Sequence, residues 1–142
     1  MKIVINTCFG GFSLSYKAMM MLYKLKSIKL YAFTYDTTTT IKKIDINKYI
    51  TYDPKKHKSS YTIHYSTTPL NSESKIDNSS YISNYNVSRT DSDLIEVVEK
   101  LGKKADGEHA ELKVIEIPDD IAYSIEEYDG KEHIAEKHRT WS

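Results

Sequence analysis

Three short clusters hold the side chains best suited to chemistry in this 142-residue chain. The first is Asn6-Thr7-Cys8-Phe9-Gly10-Gly11-Phe12, which follows the apolar run Ile3-Val4-Ile5 and precedes Ser13 and Ser15. An apolar β-branched run reads as a strand, a glycine pair lets the backbone turn sharply, and a serine caps the helix that starts next. That order brings backbone N–H groups, a helix N-terminus and the rings of Phe9 and Phe12 together. Orphan amides and the helix dipole both favour negative charge, so the corner suits a phosphate or a nucleotide. The plainer reading is an ordinary strand–turn–helix corner whose rings fill core. Only one glycine pair is present, without the Lys-Ser/Thr of a phosphate loop.

The second cluster is Ser88-Arg89-Thr90-Asp91, an arginine just ahead of a capped helix; the third is His138-Arg139-Thr140-Trp141. Arg89 and Arg139 are the only arginines among 20 basic residues. In a lysine-dominated chain, arginine at two places suggests sites where a planar fork matters, for example on a phosphate. A helix-end or surface salt bridge is the competing reading for Arg89. Tyr81 and Tyr85 precede it and offer a stacking wall, or are simply exposed loop tyrosines. The His138–Trp141 cluster suits either base stacking or docking on a neighbouring chain.

Enzymatic chemistry finds less support. His57, His64, His109, His133 and His138 sit in different segments without H-x-x-x-H spacing, and strand alternation puts His133 and His138 on opposite faces. No metal and no cofactor is therefore expected. Asp119-Asp120 and Glu126-Glu127 fall at turn or strand edges, where solvated charge is ordinary. No nucleophile elbow or dinucleotide fingerprint is present. Cys8 is the single cysteine, which excludes an internal disulfide and fits a reducing compartment; it reads as an inert thiol at a strand end.

The chain length allows one domain with a real core. No apolar stretch approaches the roughly 20 residues of a membrane span, and no signal peptide opens the chain, so a cytoplasmic protein is expected. A net charge of zero argues against a binder of nucleic-acid polymers. The zero conceals an asymmetry. Residues 1–60 carry eleven lysines against three aspartates, a net of +8; residues 92–142 carry seven Lys/Arg against fourteen Asp/Glu, a net of −7. Halves of opposite sign attract within a fold or between copies of the chain, unless they are merely solvated faces.

The elements that would position these clusters follow from pattern. Leu14, Ala18, Met21, Leu22 and Leu25 predict a helix over 15–26. Thr90 or Asp91 caps a second helix, with Leu94, Ile95, Val98 and Leu101 on its buried face and Gly102 or Gly107 ending it. A strand follows over 110–117. Alternation of Ile121, Tyr123 and Ile125, then Asp129-Gly130, predicts a terminal hairpin with a type I′ turn and a return strand over 131–138. Residues 27–88 hold eight of the twelve tyrosines and read as a Thr/Tyr-rich insertion, with strands near 29–35, 48–52 and 61–65 and a mobile loop at 71–80. The expected fold is a single α+β domain, a mainly antiparallel sheet with two helices packed on one face.

Three blocks together resemble a known family. They are Lys2–Ser15, Arg-Thr-Asp before the Leu-x-x-Val-Val-Glu helix (89–101), and Leu112–Trp141 with Leu-Lys-Val-Ile-Glu-Ile-Pro-Asp-Asp, Glu-Tyr-Asp-Gly and Glu-Lys-His-Arg-Thr-Trp. They cover 57 of the 142 residues and leave out the variable middle. The pattern is similar to the Thoeris anti-defence family of phage sponge proteins. That resemblance implies sequestration without catalysis: a cyclic ADP-ribose isomer, made as an alarm signal by bacterial TIR proteins, is held intact and kept from its effector. It also implies a homo-oligomer built from dimers, with ligand near chain–chain contacts, and capture of cyclic di- or trinucleotides at separate sites by related members.

Such a ligand offers an adenine to stack, a diphosphate to neutralise and ribose hydroxyls to bond. Phe9, Tyr81 and Tyr85 are the expected stacking residues, and Arg89 and Lys113 the expected phosphate partners. Asn6, Thr90 and Asp91 would orient polar groups, and His138 and Arg139 would reach in from a neighbouring strand or chain. The rival functions are a phosphodiesterase that degrades the same signal, and a protein–protein inhibitor that uses the Tyr-rich middle.

Overall fold

The structure, a computed structural model, describes residues 1–35, 48–57 and 62–137. The Ile-Val-Ile run forms β1 (Lys2–Asn6), buried at every residue from Ile3 to Asn6, as a continuous apolar run predicts. It pairs antiparallel with β6 (Leu112–Glu116) in the register Ile3↔Ile115, Val4↔Val114, Ile5↔Lys113. α1 (Tyr16–Leu25) starts at Ser15, whose Oγ accepts the Ala18 N–H at 3.1 Å and donates to the Lys104 carbonyl at 2.6 Å. α2 (Ser92–Leu101) starts at Asp91, whose Oδ1 accepts the Asp93 and Leu94 N–H groups. Of the two capping candidates the aspartate takes the position, where its charge also suits the helix dipole.

α2 lies on β1 and β6, and α1 packs on α2. Lys26, the C-cap of α1, sends its Nζ to Asp91 Oδ2 at 2.7 Å and Asp93 Oδ2 at 3.1 Å. A cation at one helix end thus meets carboxylates at the start of the other, as both dipoles favour. α1 buries Ala18, Met19 and Leu22, whereas Leu25, expected on that face, is 39% exposed. Leu25 is the last residue of that helix. α2 buries Leu94, Val97 and Val98 and leaves Ile95 and Leu101 half-buried, because it is covered on two sides.

β7 (Tyr123–Tyr128) and β8 (Lys131–Glu136) form the expected hairpin. Asp129 and Gly130 both have positive φ, 51° and 86°, as a type I′ turn requires. The hairpin tip packs on the N-terminal glycine turn: Gly10 N–H donates to the Asp129 carbonyl at 3.2 Å, and a Cβ on Gly130 would collide with the Gly11 nitrogen.

Contacts divide the chain into two units, Met1–Lys26 with Asn84–Ser142, and Ser27–Ser83. The second is the predicted insertion, ending at 83 rather than 88. Asn84 accepts the Leu14 N–H and donates its side-chain amide back to the Leu14 carbonyl, which fixes residues from 84 onward to the first unit. Within the insertion, β2 (Tyr31–Tyr35), β3 (Tyr49–Thr51), β4 (His64–Ser66) and β5 (Tyr81–Ile82) form an antiparallel sheet in the order β3-β2-β4-β5. The stretch expected as a mobile loop is a succession of side-chain turns. Asn71 Oδ1 accepts the Glu73 and Lys75 N–H groups, and Asp77 caps a 3-10 turn over Asn78–Ser80. The Thr37–Thr40 run, His138 and Arg139 lie outside the described residues.

The class is α+β, with antiparallel pairing spread, among the described residues, over three sheets rather than one. Among the described residues no helix is long and apolar enough to cross a membrane. Leu94, 0% exposed, is the centre of the helix contact. Leu94→Ala should lower the unfolding free energy by about 2–5 kcal/mol in a urea titration. A loss no greater than that of Ile95→Ala, one position around the helix, would show that the buried arc is assigned wrongly.

Candidate functional site

The outer edge of β1 is finished by one backbone carbonyl and one side-chain carboxylate. Val4 N–H donates to the Arg89 carbonyl at 2.9 Å, and Asn6 N–H donates to Glu132 Oε1 at 2.8 Å. Arg89 and Glu132 are themselves joined as a fork, Nη1 to Oε1 at 2.6 Å and Nη2 to Oε2 at 2.9 Å. The pair is well covered, with side chains 21% and 10% exposed. The guanidinium also lies over Phe12, its Cζ 3.6 Å from the ring centroid. Burial alone would push the Glu132 carboxyl up; hydrogen bonds from Arg89 and the Asn6 N–H outweigh it and hold the carboxyl below its ordinary value.

Asn6 is fully buried and spends both amide hydrogens on carbonyls, Cys8 O and Gly130 O, each at 2.7 Å. Its Oδ1 accepts the Glu111 N–H at 2.8 Å. One side chain thereby ties the glycine turn, the hairpin tip and the entry to β6. The Cys8 thiol points at the His109 carbonyl, 3.2 Å away.

Above this rigid floor two rings stand in solvent. Phe9 is 57% exposed and Tyr128 79% exposed, edge to face at a centroid separation of 6.5 Å. Lys131 Nζ lies 5.6 Å from the Phe9 centroid. The glycine-turn aromatics therefore split: Phe12 is core beneath Arg89, and Phe9 is surface. An exposed ring pair beside an ammonium can stack a planar heterocycle and neutralise a nearby anion.

The remaining predicted residues are distributed otherwise. Arg89, expected on phosphate, has its fork engaged by Glu132. Asn6 is spent on three backbone groups. Asp91 serves as helix cap and partner of Lys26; burial would raise its carboxyl, but the Lys26 hydrogen bond and the backbone N–H groups hold it low. Thr90 is exposed, its hydroxyl 3.3 Å from that of Ser88. Lys113 is exposed on β6, opposite Ile5. Tyr85 is 63% exposed, directly after the Asn84 that is bonded to Leu14. His138 and Arg139 lie outside the described residues. Sequence reasoning missed Glu132, Tyr128 and Lys131; the legible signal was that Tyr128 and Lys131 flank the Asp129-Gly130 turn. No cluster of metal-ligating side chains occurs among the described residues.

Tyr81 belongs to the inserted unit. The strand registers put Tyr31, Phe33, Tyr35, Tyr49, His64 and Tyr81 on one face of its sheet. His64 stands edge-on to Tyr35 and Tyr49, each at 5.3 Å, and its Nδ1 lies 3.2 Å from the Tyr81 hydroxyl. Burial pushes the imidazole below its ordinary value. Burial and then the Tyr35 hydroxyl push the Tyr49 phenol up to about 12.

Arg89→Ala leaves Glu132 buried without its cation and should cost about 3–5 kcal/mol of stability, measured by chemical denaturation. Because the folded Glu132 titrates below the unfolded value of 4.5, its contribution is complete above that pH and fades as pH falls through the folded value, so Glu132→Gln should flatten the acid limb of the stability profile. His64 is held neutral, so its contribution is present above 6.5 and is lost as pH falls through its lower folded value. Its ring protons should titrate in NMR with a midpoint under 6.5; a midpoint at or above it would contradict the buried placement. In comparisons with known proteins, no family model, no curated protein and no solved structure matches the chain.

Proposed function

We propose that this chain is a phage-type anti-defence sponge: it binds a TIR-derived cyclic ADP-ribose signal and sequesters it uncleaved, as a homo-oligomer in the cytoplasm of an infected bacterium. The reading rests on the likeness of its three sequence blocks to the Thoeris anti-defence family. One structural observation carries it further, the exposed Phe9–Tyr128 pair with Lys131 beside it, fixed on the glycine corner by Asn6 and Gly130. A backbone already fastened beneath the two rings lowers the ordering cost when a base stacks on them, and slow release is what sequestration needs. The ionised, cation-bound state of Glu132 and Asp91 suits scaffolding; a general acid needs a raised pKa instead. In this reading Arg89 positions the corner through Glu132, and Lys131 takes the phosphate role.

Incubation with a cyclic ADP-ribose isomer, removal of free ligand and heat denaturation tests the proposal. Release of intact ligand is expected. Release of a cleaved product would make the protein a phosphodiesterase, and absence of ligand at saturating supply would end the sponge reading. In calorimetry, Phe9→Ala and Tyr128→Ala should each weaken binding by about 1–3 kcal/mol, the worth of one stacked base. Unchanged affinity in both would remove the corner from the site.

A further inference from the structure

A groove of about 360 Å³ opens in the first unit, and its lining shares no residue with the Phe9–Tyr128 corner. Five isoleucines from separate segments wall it: Ile5 of β1, Ile115 of β6, Ile117, Ile121 and Ile134 of β8. Ile5 is buried and the other four are half-buried, a contiguous apolar surface that water still reaches. Its surroundings are acidic. Glu136 stands exposed in the lining, and His133 beside it is paired with Glu126 at 3.2 Å. Residues 114–137 carry eight carboxylates against two lysines, a net of −6.

The opposite character lies on the outer side of α1. That helix buries Ala18, Met19 and Leu22, and by the helical period the arc facing away from them holds Lys17, Met20, Met21 and Lys24, with Leu25 at its flank. Lys17, Lys24 and Leu25 are exposed, and Met20 and Met21 are half-buried. Residues 16–26 hold three lysines and no carboxylate. Lys26 is spent on Asp91 and Asp93, whereas Lys17 and Lys24 form no ion pair among the described residues. Unbranched methionine adapts to an irregular surface, and a helix that presents apolar anchors at i and i+4, here Met21 and Leu25, suits an apolar groove.

Each surface repels a copy of itself. Stripe against stripe sets lysines together, and groove against groove sets carboxylates together. Stripe against groove pairs cation with carboxylate and covers methionine with isoleucine. Such a contact is heterologous, and because every copy carries both surfaces it repeats into a closed ring or a chain.

We propose that this groove receives α1 of a second copy, with Met20, Met21 and Leu25 on the isoleucines and Lys17 and Lys24 toward Glu136 and its acidic neighbours. The contact deepens the homo-oligomer of the proposed function and rests on that reading for the assembly itself. Lys17, Lys24 and Glu136 are all exposed, so reversing their charges leaves the core intact. In sedimentation of the full chain, the average mass should rise with protein concentration and fall with added salt. Lys17→Glu/Lys24→Glu and Glu136→Lys should each weaken association, the double reversal by about tenfold or more. Mixed one to one, the two variants should associate again, because each supplies the surface the other lacks. Met21→Ser should weaken association several-fold at low and high salt alike. A full chain that stays monomeric would overturn the contact and the homo-oligomer together. Association indifferent to the reversals or to Met21→Ser, or variants that do not rescue one another, would overturn the contact alone. Capture of a cyclic ADP-ribose isomer by the Lys17→Glu/Lys24→Glu variant reads the sponge separately from the assembly.

Discussion

An exposed edge of a β-strand is a row of unpaired N–H and C=O groups, and the first unit is organised around closing one. β1 is buried on all sides, so its outer N–H groups must find partners inside the protein. Val4 finds the Arg89 carbonyl and Asn6 finds the Glu132 carboxylate. Because the two providers are locked to each other by a two-point fork, the edge, the approach to α2 and strand β8 form one connected unit. A carboxylate placed there without its guanidinium would be a buried charge facing an amide. The pair is therefore an obligatory partnership rather than an added increment of stability.

The same neighbourhood joins two backbone peculiarities that lie 120 residues apart in sequence. The Gly10-Gly11 turn and the Asp129-Gly130 turn press together so closely that a methyl on Gly130 has no room. Asn6 then cements the contact by donating to Cys8 O and Gly130 O simultaneously. The side chains of Phe9 and Tyr128 emerge from either side of this junction, so their backbone roots are held beside each other. Preorganisation of that kind lowers the cost of binding without adding contacts.

What could be read from the chain alone depended on how local the cause is. Ser15 and Asp91, each one of two capping candidates, and the Asp129-Gly130 turn are decided within a few residues and form where pattern allows them; the helix stripes do so only in part, since Leu25 is exposed and Ile95 and Leu101 are half-buried. The partner of Arg89 is 43 positions away, and no periodicity points from one to the other. The spacing of Phe9 and Phe12 likewise gives no hint that one is core and the other surface; that follows from Arg89 settling over Phe12 and from the hairpin tip arriving beside Phe9. Of the expected ligand residues, those near helix starts proved to have structural duties, because caps and ion pairs compete for the same polar side chains that a ligand would want. Phe9 was legible as a stacking ring, whereas Tyr128 and Lys131 were visible only as residues flanking the Asp129-Gly130 turn.

The insertion is fastened at both ends inside the first unit, by Lys26 on Asp91 and Asp93 and by Asn84 on Leu14. With its ends held, a segment of this kind adds closure entropy only as the logarithm of its length, about 0.6 kcal/mol per doubling. A longer or shorter segment at 27–83 would therefore change the closure cost borne by the capped helices and the sealed strand edge only slightly.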